Sequence, residues 1–135
     1  MKNSTWYWYG VKIIKQIIVE GEPDETLLDE FYDDDGKQQF EESLMLVRAQ
    51  SFEHAYKFAE KKAKKDNDFY SNKYGQQAAW KFVEAVDCFL ILDEIKSGAE
   101  VYSCFHSTTK AITTEDFLNL WFNNSDEGCH KARHI

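Results

Sequence analysis

The chain has 135 residues, 43% of them hydrophobic and 16% aromatic, which suits one packed domain and is too apolar for a disordered segment. Its 24 Asp and Glu against 16 Lys and Arg leave a formal charge of -8. That balance offers no general attraction to phosphate backbones, so nucleic acid is a poor match and a basic protein surface a better one.

No window reaches the ~18 to 20 apolar residues of a membrane span. Lys12, Lys15 and Gln16 interrupt the amino-terminal stretch where a signal peptide needs an apolar run. Three cysteines, Cys88, Cys104 and Cys129, make no disulfide framework. The expectation is a cytoplasmic protein with reduced thiols, without a membrane partner.

Trp6 to Glu20 is dominated by aromatic and β-branched residues, which predicts a long strand with a bend or bulge near Gly10. From Glu20 to Gly36 the composition changes abruptly: nine carboxylates, no Lys or Arg, and the only proline. Pro23 is placed to open a short helix, with Asp24 and Glu25 in its first turn. Leu27, Leu28 and Phe31 would share one side of it. Gln39 to Gln50 returns to strand character, Phe40, Leu44 and Leu46 on one face and Glu41, Ser43 and Met45 on the other. The two strands then form a hairpin with an oversized loop.

Ser51 is an N-cap for a helix in which Phe52, Ala55, Tyr56, Ala59 and Ala63 follow helical spacing. Asp66 to Gly75 is expected as a loop. Asp66 and Asp68 resemble the opening of a calcium loop, but no glycine or bidentate glutamate follows at the required distance, so calcium is rejected.

Ala79 to Ile95 is the most apolar stretch and fits both a strand and a helical template. Its all-round apolar run from Cys88 to Leu92 favours a strand covered on both faces. Ser97-Gly98 marks a turn, and Glu100 to Ser107 is expected to complete a second hairpin. Thr113 to Asp116 starts a final helix with Phe117, Leu120 and Trp121 as its stripe, and the tail after Asn123 is polar. The expected fold is α+β: a four-stranded antiparallel sheet, β-β-α-β-β-α along the chain, helices packed on one face. It forms one domain over 1–135, with its core at about 6–107 and the helix and tail at 113–135.

Several segments resemble a bacterial family of uncharacterised domains, the domain of unknown function 4288. They are W-Y-G-V-K at Trp8 to Lys12, F-E-E-S at Phe40 to Ser43, L-V-R-A at Leu46 to Ala49 and S-F-E-H-A at Ser51 to Ala55. F-V-E-x-x-D-C-F at Phe82 to Phe89 and E-V-Y-S at Glu100 to Ser103 complete the likeness, which spans roughly Trp6 to His106. The acidic insert and final helix look particular to this chain. The resemblance implies a fold and no chemistry. Families of this sort are similar to immunity proteins of toxin systems in size, charge and context, and fold does not fix function.

No catalytic motif or cofactor signature is present. Cys129, His130 and His134 have metal-compatible spacing, yet a structural zinc needs four ligands and a polar tail explains them better. Cys88 reads as a small buried hydrophobe. Cys104 and His106 fall on one face of the expected strand but are not credited as a nucleophile and its base, and Glu84 and Asp87 would diverge. Glu84, expected inward, calls for a partner such as Lys12 or Arg48, or for a shifted pKa.

The acidic stretch is the remaining candidate. Asp24, Glu25, Leu28, Asp29, Glu30, Phe31, Tyr32, Asp33, Asp34 and Asp35 combine apolar anchors with a charged rim, as an interface for a basic partner requires. The expected function is non-enzymatic: an immunity protein that binds a cognate toxin, such as a nuclease with a basic cleft. The alternatives are a small ligand-binding or enzymatic domain using the ring-rich sheet face, and a homodimer held by sheet edges or the final helix.

Overall fold

A computed structural model describes residues 5–32, 38–66 and 69–122. The chain forms two compact units, Met1–Tyr102 and Ser103–Ile135. The first holds four strands, β1 (Tyr7–Glu20), β2 (Gln39–Ala49), β3 (Phe69–Ser71) and β4 (Gln77–Ile91), and one helix, α1 (Phe52–Lys65). The second holds α2 (Thr114–Trp121). Among the described residues no helix is long and apolar enough to cross a membrane.

The strands make one antiparallel sheet in the order β2-β1-β4-β3. β1 is the apolar spine: Tyr9, Val11 and Ile13 are buried on one face beside Val47 and Ala49 of β2. Burying a Val or Ile side chain contributes about 1.5–3 kcal/mol, so this triplet anchors the fold. α1 lies on that face through Ala55, Ala59 and Ala63, all fully buried. Their fourfold spacing makes one stripe, and methyl side chains let helix and sheet approach closely. Ser51 caps the helix, its hydroxyl accepting the His54 N–H at 3.0 Å, while Lys62, Lys64 and Lys65 occupy its negative end. Phe52 packs edge-on against Tyr9 with ring centroids 5.1 Å apart.

The most apolar stretch, Ala79 to Ile95, is a strand that ends at Ile91. Phe82, Ala85, Cys88 and Leu90 pack towards the core under α1. Their uneven spacing comes from two register shifts against β1, at Lys12/Ile13 and Ile14/Lys15, which leave Val86 and Val83 as extra residues on β4.

Three fold expectations are corrected. First, the observed succession departs from the expected one in its second half. Glu100–Ser107 is not a strand; the fourth strand is Phe69–Ser71, inside the stretch expected as loop. The position beside the start of β4 is taken by its own upstream hairpin. Asn72 Oδ1 accepts the N–H groups of Tyr74 (3.0 Å) and Gln76 (2.9 Å), and Gly75 turns the chain at φ +77. Second, the helices expected as one layer fall in different units: α1 covers the sheet of the first, and α2 belongs to the second, where its Thr113 cap accepts the Asp116 N–H at 3.1 Å. Third, the irregularity expected near Gly10 lies between Lys12 and Ile13, and its extra residue is on β4 rather than β1.

Gly10 has a different role. It pairs with Phe89, whose ring lies over its Cα so closely that a Cβ would overlap the ring carbons. The Phe89 ring in turn meets Tyr102 edge-on at 5.0 Å, which holds the strap after β4 over this spot.

Gly10→Ala is therefore expected to lower stability by about 1–3 kcal/mol in urea denaturation, as overpacking does. An unobstructed strand would gain ~0.5–1 kcal/mol from the same change. The sign decides, and Phe89→Leu should reduce the cost in the double variant.

Candidate functional site

The acidic segment leaves β1 at Glu20 and is tied to the β3–β4 turn. Gln76 Nε2 donates to the Gly21 carbonyl at 2.8 Å, and the Asp24 N–H donates to the Tyr74 carbonyl at 2.8 Å. Asp24 also folds the next residues: its Oδ1 accepts the Thr26 N–H (2.9 Å) and hydroxyl (2.7 Å). These bonds, the hydroxyl first, hold its carboxyl below the usual range. The short helix expected after Pro23 is a single 3₁₀ turn, Glu25–Leu27, with Asp24 as its cap. Leu28 is extended at ψ 137, so Leu27, Leu28 and Phe31 do not share a helical side.

Asp29 is the second tether and the stronger one. Its Oδ2 meets Lys73 Nζ at 2.7 Å, while its Oδ1 accepts the Tyr74 hydroxyl at 2.8 Å and the Phe31 N–H at 3.0 Å. The Lys73 bond, followed by the Tyr74 bond, lowers the Asp29 pKa, and the same bond raises that of Lys73. Rings reinforce the contact: Tyr32 meets Tyr74 edge-on at 4.8 Å, and Lys73 Nζ lies 5.6 Å from the Phe31 ring centroid. Gly75 lies at van der Waals distance beneath Asp24 and Leu27, and its positive φ rather than a lack of space calls for glycine.

Of the predicted interface residues, the structure brings Asp24, Asp29 and Tyr32 onto this turn and gives them internal partners. Glu25 and Glu30 are exposed and pair with no cation among the described residues. Leu28 is exposed, and Phe31 is 75% exposed despite its Lys73 contact. Asp33, Asp34 and Asp35 lie outside the described residues. The residues missed from sequence are Asn72, Lys73, Tyr74 and Gln76. The signal was the Asn and Gly of the S-N-K-Y-G-Q stretch, which marks a tight hairpin turn between short strands.

Two expectations about carboxylates are overturned by the bulges. Glu84 pairs with Ile14 and Asp87 with Lys12, so both lie on the face opposite α1 instead of diverging. The extra residue at Val86 shifts the alternation by one. Glu84 is exposed there and needs no buried partner; Lys12 instead reaches Glu42 at 3.7 Å, and Arg48 lies 5.3 Å over the Trp8 ring.

Although 100–107 is not a strand, Cys104 and His106 lie together, with Cys104 Sγ 3.4 Å from His106 Nε2. Trp121 and Phe117 ring His106 at 4.5 and 5.6 Å. Cys88 is half-buried against the core, and burial pushes its thiol pKa up, disfavouring the thiolate. A cleft of about 580 Å³ lined by Lys15, Asp66, Phe69, Tyr70 and Trp80 has small-ligand size but brings no nucleophile to a base. Among the described residues no three His, Cys, Asp or Glu are grouped to hold a metal ion; Cys129, His130 and His134 lie outside them.

A family model described as Domain of unknown function (DUF4288) matches residues 8–103. No curated protein and no solved structure matches the chain.

The tether has a definite pH signature. A carboxylate with a depressed folded pKa contributes above its unfolded pKa and loses that contribution as pH falls through the folded value. Asp29 should therefore titrate below its ordinary 3.8, seen in the Phe31 amide and Tyr74 ring resonances. A midpoint at or above 3.8 would contradict the tether. In Asp29→Ala the titration should vanish and Phe31 amide exchange accelerate, with Val11 and Ile13 amides unchanged.

Proposed function

The chain belongs to the DUF4288 family of domains of unknown function, and from that premise we propose that it is a non-enzymatic binding protein whose acidic segment engages a basic protein partner. The observation that carries this reading is the Asp29–Lys73–Tyr74 tether. It fixes one end of a strongly acidic loop to a rigid hairpin turn while Glu25, Leu28, Glu30 and Phe31 stay exposed. A segment held in place before binding loses less conformational entropy on association than a free one.

The division of charges supports the same reading. Asp24 and Asp29 are consumed by the brace, leaving Glu25 and Glu30, and in sequence Asp33, Asp34 and Asp35, as the rim. Leu28 and Phe31 are the anchors. Flat apolar side chains within an acidic rim suit a partner whose own cleft is basic. In its specific form the partner is a toxin with such a cleft, a nuclease among them, and the chain neutralises it as an immunity protein by occupying the cleft.

The first partner to test is the product of the neighbouring gene. Surface plasmon resonance should show association slowed about tenfold or more at low salt by Glu25→Lys with Glu30→Lys, with dissociation little changed. Phe31→Ala and Leu28→Ala should instead hasten dissociation by about fivefold or more. Association rates indifferent both to these reversals and to ionic strength would defeat the electrostatic reading.

A further inference from the structure

The two outer edges of the sheet are not equivalent. At one side β3 covers only Gln77 to Ala79 of β4, and the rest of β4 is broken by the irregularities at Val83 and Val86. Bulges of this kind blunt an edge against further pairing. At the other side β2 runs eleven residues, in unbroken register with β1 from Tyr7↔Ala49 to Ile17↔Gln39. No strand among the described residues pairs with its outer edge. β2 has no proline or lysine, and on the face away from α1 it exposes Phe40, Leu44 and Leu46. Such an edge is a template for another strand.

We propose that β2 pairs antiparallel with β2 of a second copy of this chain, about a twofold axis at Met45, joining two sheets into one of eight strands. The sequence of the strand selects both the occupant and the register. Opposed residues in an antiparallel pair share a face, so a twofold must pass through a residue. With the axis at Met45, Leu44 lies opposite the partner's Leu46 and Glu42 opposite the partner's Arg48, each pair occurring twice. Ser43 meets the partner's Val47, and Glu41 the partner's Ala49.

Neighbouring registers fail. With the axis at Leu44, Glu42 opposes the partner's Leu46 and Phe40 the partner's Arg48. With the axis at Leu46, Leu44 opposes the partner's Arg48. Met45 is the axis that matches leucine with leucine and acid with base from Glu42 to Arg48, leaving Phe40 opposite the partner's Gln50 beyond the end of β2. Glu42 and Arg48 are exposed and otherwise hold only the long Lys12 contact of 3.7 Å and the Trp8 ring, so both can reach across. The interface is independent of the acidic segment, whose tether lies on the β3–β4 turn at the other side of the sheet order.

Sedimentation velocity and light scattering on the full chain test this, with thermal melts confirming that each variant is folded. The wild-type chain should give a dimer mass that dissociates on dilution. Glu42→Arg and Arg48→Glu alone each set like charges opposite one another twice, and each should weaken the dimer on the order of tenfold. The double exchange Glu42→Arg with Arg48→Glu should restore wild-type association, because only this register reunites the exchanged charges. A wild-type chain that stays monomeric to submillimolar concentration overturns the proposal without reference to any variant. A dimer that the single variants leave intact, or that the double exchange does not restore, overturns the register and with it the twofold pairing.

Discussion

Three alanines decide how this protein is organised. Ala55, Ala59 and Ala63 let α1 lie close against Tyr9, Val11 and Ile13, so one face of the sheet becomes a dry core. A larger side chain at any of the three would lift the helix and open the strongest packing in the chain. The choice of face has consequences on the other side. β2 sends Met45, Val47 and Ala49 inward and must send Leu44 and Leu46 outward, because a strand alternates. The exposed leucines are the complement of the core rather than an accident of composition.

The acidic segment poses the opposite problem, of charge without a core. Nine carboxylates between Glu20 and Gly36 repel one another and by themselves favour a solvated chain. Lys73 changes this by meeting Asp29 at 2.7 Å, with Tyr74 sharing the same carboxylate. An exposed ion pair of this kind contributes little to global stability. Its value lies in position: one cation and two backbone-linked contacts, at Gly21 and Asp24, convert a repelling loop into a located one. The tether also shows why apolar anchors and loop pinning are not rival explanations. Tyr32 packs onto the turn, whereas Phe31, its neighbour, stays open.

Much of the fold was legible in the sequence where period and cap agree. β1, β2 and α1 were placed to within a residue or two, because alternation, an alanine stripe and a serine cap all point the same way. The family likeness rested on the same segments, and the family match spans residues 8–103. β4 was recognised as a strand, but its partner was not. A three-residue strand such as Phe69–Ser71 carries no period to read, whereas Glu100–Ser107 alternates convincingly and pairs with nothing regular. Local pattern says that a segment can be a strand; only the sheet says whether a place beside it is open. The acidic segment was legible as a composition shift, and its brace was not, since Lys73 lies far along the chain from Asp29.

The bulges in β4 tie these threads together. A bulge is invisible to a count of alternating residues, and each one reverses the faces of everything beyond it. That is why Glu84 and Asp87, three apart, lie on one face, and why a stretch that also fits a helical template is nonetheless a strand. The same two irregularities spoil β4 as an edge, leaving β2 as the regular one. A protein with charge -8 resists self-association in general, so a contact between copies must settle its charges locally. On β2 the arrangement of Glu42, Leu44, Leu46 and Arg48 about Met45 does so without calling on any residue of the acidic segment.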